Sequence, residues 1–167
     1  MIKTPQTLTD VNIFIDGIGH LGTSKKITLP KIEQLRETIT AGGFERSVDL
    51  GIFKELDSEF TLSEYSPIVL AAMAAGQATG LGVNITVKGS FFQDGKRTSI
   101  LATLQGSIDL DDGDMEAKKE VERKVSMKPW LYAMEIDGKQ GLMLDTKNMI
   151  AIIDGVDYLS DLRAHIQ

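Results

Sequence analysis

A chain of 167 residues, 42% hydrophobic and 25% charged, has the length of one domain and enough apolar material for a real core. It contains no cysteine, which excludes a disulfide scaffold, a thiolate zinc site and a cysteine nucleophile. A net charge of −6 argues against gripping nucleic acid, because phosphate binding needs clustered Lys and Arg; it is compatible with a surface that nucleic acid slides past without sticking. No apolar run reaches the roughly 18 residues of a membrane span, and Met1–Asp10 lacks a signal peptide's apolar stretch. These features predict a chain made and kept in the cytosol, without membrane anchoring. No repeat, low-complexity tract or Pro/Ser-rich linker divides it, so residues 1–167 are expected to form a single domain.

The elements, taken in chain order, are short segments of period two punctuated by Gly and Asp, the signature of antiparallel β structure. Asn12–Asp16 is strand-like and runs into Gly17-Ile18-Gly19-His20-Leu21-Gly22. Ala41-Gly42-Gly43-Phe44-Glu45-Arg46 has two glycines for a sharp turn, then an aromatic and two charges. It predicts a protruding hairpin around 40–54. It reads either as a plain hairpin with Phe44 in the core or as an interaction loop, since Phe and Arg suit anchor roles at interfaces. Lys54–Ser63 places Leu56, Phe60 and Leu62 on one face and Glu55, Asp57, Glu59 and Thr61 on the other.

Ser66 and Pro67 are N-cap and first-turn residues for a helix over Ile68–Ala75, which Gly76 can end, with Tyr65 stapling onto Leu70. Val83, Ile85 and Val87 alternate with Asn84, Thr86 and Lys88, and Asp94-Gly95 turns the chain into the next strand. Arg97–Asp111 has the strongest alternation, with Ile100, Ala102, Leu104, Ile108 and Leu110 on one face. Val121, Val125 and Met127 start a further strand with Arg123 in their phase; beyond Pro129 the apolar phase moves to Tyr132, Met134 and Ile136, which predicts a bulge. A turn at Asp137–Lys139, a strand region over Leu142–Ile153 broken near Asp145–Asn148, and a short helix at Tyr158–His165 complete the chain. The fold class is therefore mainly β: a β-sandwich or open barrel flanked by one α-helix, plus a short C-terminal helix. Its long strands leave edges that neighbouring subunits can pair.

No chemistry-bearing motif stands. The glycines at 17, 19 and 22 match G-x-G-x-x-G, but the dinucleotide reading needs a helix directly after them, and Pro30 and β-branched residues follow instead. The acidic loop Asp111-Asp112-Gly113-Asp114 invites a calcium reading; counted from Asp109, glycine falls at the fifth position rather than the sixth, so it reads as a solvated turn. His20 and His165 are the only histidines and no nucleophile elbow occurs, so neither catalysis nor a cofactor is expected. The methionines, Met115 and Met127 among them, read as core filler.

Taken together in order, TLTDVNIFIDGIGHLG, KITLPKIE, AGGFERSVDLG, KELDSEFTLSEYSP, VKGSFFQDGKR, LQGSIDLDDGDMEA and YAMEIDGKQGLMLDTKNMIAIIDGVDYLSDLR resemble the major tail tube protein family of P2-like contractile phages over nearly the whole chain. The chain departs from that pattern at Phe44, where methionine is usual, and at Met115 and Ala117, where an aromatic and a glycine are usual. The resemblance implies a structural, non-enzymatic subunit with a tail-tube-like fold. Homohexameric rings would stack into the inner tube of a contractile tail, assembled in the bacterial cytoplasm and carried in the virion. The loop Ala41–Arg46 would reach the neighbouring ring. The implied partners are the chain itself, the sheath, the baseplate hub, a tape-measure protein and a tail terminator, with DNA passing the lumen unbound. A bacteriocin-like injection particle carrying no genome is the near alternative. A monomeric β-barrel that binds an apolar ligand is a distant one, disfavoured by the polar faces of Leu101–Asp109 and Glu55–Ser63.

Overall fold

A computed structural model describes all 167 residues as twelve strands and two helices. The segments with the clearest alternation make its frame. Val83–Gln93 (β7) and Lys96–Asp111 (β8) form one long hairpin, paired from Val83↔Gly106 to Gln93↔Lys96. Its turn uses Asp94 and Gly95 at φ 47° and 79°, the paired left-handed geometry that favours Asp-Gly. Thr7–Ile15 (β1) lies antiparallel on the other side of β7. Arg123–Ile136 (β9) lines the free side of β8.

The sheet forks at β9. Arg123–Met127 pairs with Ser58–Leu62 (β6), while Leu131–Ile136 pairs with Lys139–Asp145 (β10). Beyond β6 lies Ser24–Thr28 (β3), ended by Leu29 and the buried Pro30. Beyond β10 lie Ile150–Ile153 (β11) and Val156–Asp157 (β12). Ile18–Gly19 (β2) covers only Phe14 and Ile15 of β1. The fork coincides with the expected phase flip: Gly106 faces Pro129 and Gln105 faces Leu131, so Trp130 is the extra residue of a bulge. The buried phase accordingly runs Arg123, Val125, Met127, Pro129, then Tyr132. Proline fits here because its missing N–H falls where the ladder is already broken. Glycine is required opposite it, since a Cβ on Gly106 would stand 2.4 Å from the Lys128 carbonyl oxygen.

The inward faces of both arms enclose one core. Ile13, Ile15, Phe60, Leu62, Ile85, Leu104, Val125, Met127 and Tyr132 are at most 1% exposed. Each such side chain contributes about 1.5–3 kcal/mol by leaving water. Pro67–Thr79 (α1) plugs the core with Val69 and Ala72. The Ser66 Oγ accepts the Ile68 N–H and Pro67 opens the helix, as expected. The helix does not end at Gly76. It runs to Thr79, and Gly80 at φ 70° terminates it. Gly76 lies inside the helix because the Gly82 backbone passes there: a Cβ would meet the Gly82 carbonyl carbon at 2.8 Å. The Tyr65 hydroxyl donates to the Asp112 carbonyl at 3.2 Å, and Leu70 is 52% exposed. Two strand boundaries also differ. Only Ser58–Leu62 of the expected 54–63 strand is extended, with Thr61 buried, and β9 starts at Arg123 rather than Val121. The C-terminal helix is Ser160–Ile166 (α2).

Candidate assembly surfaces

Gln34–Ala41 (β4) and Phe44–Phe53 (β5) form a ribbon that pairs with no other strand. Gly42 and Gly43, at φ 61° and 79°, make the two-residue turn between Ala41 and Phe44. Directly opposite residues share a face, so the register sorts the ribbon. Ala41 with Phe44, Ile39 with Arg46 and Glu37 with Val48 lie on one side, along with Leu35. Thr40 with Glu45, Thr38 with Ser47 and Arg36 with Asp49 lie on the other. One side is thus mostly apolar and the other wholly polar, where Arg36 Nε meets Asp49 Oδ1 at 2.6 Å. Neither side is covered: Leu35, Ile39, Phe44 and Leu50 are all exposed, and Phe44 at the tip is 78% exposed. Phe44 is therefore not the core residue of a plain hairpin. The ribbon is anchored at its root, where the Lys54 N–H donates to the Glu33 carbonyl at 2.8 Å and the Phe53 ring lies 6.1 Å from that of Tyr158.

The acidic loop differs from a solvated turn at one residue. Asp111 Oδ1 accepts the Gly113 N–H at 2.9 Å, and Gly113 and Asp114 are exposed. Asp112, however, accepts from the buried Arg123, whose Nε lies 2.7 Å from Asp112 Oδ1. Arg123 Nη1 also donates to the Ser66 carbonyl at 2.8 Å, and its guanidinium stands 5.1 Å from the centre of the Tyr65 ring. One cation thereby ties the acidic loop to the start of α1. The sequence signal for it is a charge on the apolar phase of β9, which pattern reading noticed without assigning it work. Met115 is not core filler: it is 76% exposed on this loop.

The remaining polar groups do not converge on a reactive centre. Gly17–Gly22 forms turns around β2 with no helix after them. His20 is buried between those turns, with its Nε2 3.9 Å from Glu64 Oε1 and neither ring nitrogen hydrogen-bonded. His165 is exposed on α2. Burial pushes the Tyr132 phenol up to about 12, so it stays protonated at neutral pH. The Arg163 side chain holds the Asp157 carboxyl below its usual value by a direct hydrogen bond, fastening α2 to β12. Two of the surface clefts are lined mainly by apolar residues. One, of about 250 Å³, lies between the ribbon root, β10–β11 and α2; the other, of about 550 Å³, lies between α1 and Trp130.

The sheet is also unfinished. β3, β12 and the Thr7–Asn12 stretch of β1 each lack a backbone partner on their outer side. A projecting amphipathic ribbon and open sheet edges are the features of a subunit built to meet other chains. The chain belongs to the phage tail tube protein FII family, whose sequence pattern it matches over residues 5–166. It is 31% identical to the tail tube protein of Escherichia phage P2, with 97% of each chain covered. It is 23% identical to the major tail tube protein of Serratia phage KSP20, over 94% of this chain and 92% of that one. A solved chain from the 6-fold symmetrised baseplate of the anti-feeding prophage aligns at TM-score 0.48 and 12% identity, over 80% of this chain and 97% of the other.

Proposed function

We propose that this chain builds the inner tube of a contractile phage tail. Six copies close into a ring, open sheet edges join across subunits into one barrel, and rings stack into a hollow conduit through which DNA passes without specific binding. Closure across subunits is the way a sheet with such edges avoids indiscriminate pairing. The ribbon is an arm of a single tube-building domain, and its tip, Ala41–Arg46, makes the contact between rings. The acidic corner Asp111–Asp114 is tied to the start of α1 through the contact of Asp112 with Arg123. The sheath, baseplate hub, tape-measure protein and tail terminator are the partners such a tube requires.

The observation that carries this reading is the ribbon. A two-stranded hairpin alone is marginal in water, yet this one has a polar face and an apolar face with nothing beneath the latter. Its pattern makes sense once another copy covers the apolar side. Negative-stain microscopy and light scattering of the purified chain across concentration test it. Six-fold rings or hollow tubes are expected. Rings of another order, or compact dimers with the ribbon free, contradict it.

A further inference from the structure

A second exposed surface lacks charge altogether. None of the thirteen residues of α1 is ionisable, although a quarter of the chain is charged. The outward side of α1 carries Leu70, 52% exposed, with Ala71, Ala74 and Ala78. A helix that is apolar all round belongs in an interior, so this side awaits a cover. The 550 Å³ cleft begins there, between Leu70, Met73, Ala74 and Gln77 on one wall and Ile108 and Trp130 on the other, and no charged side chain lines it.

The ribbon tip is the matching shape. Ala41, Gly42 and Gly43 are small and uncharged, so the Phe44 ring stands clear of its neighbours. Charged residues border both surfaces. Glu45 follows Phe44 on the polar side of the ribbon and Arg46 lies on the apolar side; neither is in an ion pair, since the only one inside the ribbon is Arg36–Asp49. Lys147 stands 3.7 Å over the Trp130 ring at the border of the cleft. The smaller cleft is a poorer match: Lys54, Glu55 and Asp145 line it, and its walls include Ile52 and Phe53 from the root of its own ribbon.

We propose that the Phe44 tip of one copy seats in the cleft between α1 and Trp130 of a second copy, with Glu45 placed toward Lys147. The contact joins two different patches of the same chain, a geometry that can repeat along an axis without closing, as stacking demands. It also explains a chargeless helix on an acidic protein, since interface centres are depleted of charge. The inference rests on the reading that the tip reaches another copy.

The test replaces Phe44 with a photoreactive aromatic, Phe44→p-benzoylphenylalanine, in tubes assembled without sheath. Crosslinks are mapped after irradiation. Crosslinks between copies within residues 67–82 or at Trp130 are expected. Crosslinks between copies to residues 144–162 would overturn the choice of cleft while leaving the ring-contact reading intact. Crosslinks confined to single copies would overturn both. The absence of native cysteine allows a second readout that leaves Phe44 in place. The Ala74→Cys thiol should react with maleimide freely in the subunit and at least roughly tenfold more slowly in sheathless tubes, because interface centres exclude water. Equal rates would refute the proposal even if the first variant fails to assemble.

Discussion

Gly106→Ala is the sharpest perturbation of the frame that carries these surfaces. The added Cβ would sit 2.4 Å from the Lys128 carbonyl oxygen, 2.7 Å from Pro129 Cα and 2.9 Å from the Lys128 carbonyl carbon. All three are backbone atoms, so no side-chain rotation relieves the clash; β8 and β9 must part at the bulge. Overpacking a tight interior costs about 1–3 kcal/mol, and each ladder hydrogen bond lost adds about 0.5–1.5 kcal/mol. A loss of about 3 kcal/mol is therefore expected. For a chain of this size that lowers Tm by about 6–12 °C. Gly141→Ala is the matched control, since Gly141 also lies in a strand, at ordinary φ, but with nothing within 4 Å of its Cβ position. It should be neutral or stabilising by up to about 1 kcal/mol, because alanine restricts the unfolded chain. Urea denaturation of the free subunits measures both. Gly106→Ala within about 0.5 kcal/mol of the parent, the range of an ordinary surface change, would refute the account of the fork.

Arg123→Met should destabilise by about 2–4 kcal/mol and raise amide exchange across residues 112–120: it strips a donor from the Ser66 carbonyl and leaves Asp112, itself still partly solvated, without its cation. Unfolding and hydrogen exchange read the two effects, and loss of stability with an unchanged loop would contradict the proposed tie. Tyr132 keeps its proton to about pH 12 in the fold against 10.0 for a free phenol. The native state therefore binds more protons than the unfolded state between those values, so this contribution is full below pH 10, falls as pH rises through the window and is absent in Tyr132→Phe. One of the three tyrosines should ionise late in ultraviolet titration. Phe44→Ser should leave the free subunit within about 0.5 kcal/mol of its original stability, because the ring touches little there, yet abolish tubes under electron microscopy. Normal tubes would remove Phe44 from the assembly account.

The frame was legible because packing wrote it into the sequence. In β8 every second residue must face the core, so Ala102, Leu104 and Ile108 stand out between Thr103, Gln105 and Ser107. The bulge was legible for a similar reason: one extra residue at Trp130 flips the buried phase, and the sequence carries that flip beside Pro129. The ribbon was only half legible. Its tip has the glycines of a tight turn, but its strands bury nothing within the chain, so their extent over 34–53 left no interior signature. Gly76 misled because a glycine that lets a backbone pass closely looks the same as one that ends a helix. The choice of Asp112 as the partner of Arg123 depends on a meeting of three distant segments, which spacing does not encode.

Cryo-electron microscopy of sheathless tubes built from this chain addresses the central claim most directly. The account predicts a hollow six-fold tube whose wall is this chain, with backbone pairing continuous across subunits at the open edges of the sheet and the 34–53 ribbon lying against the next ring. A wall in which each subunit's sheet ends without pairing to its neighbour, and the ribbon touches no second ring, would contradict it.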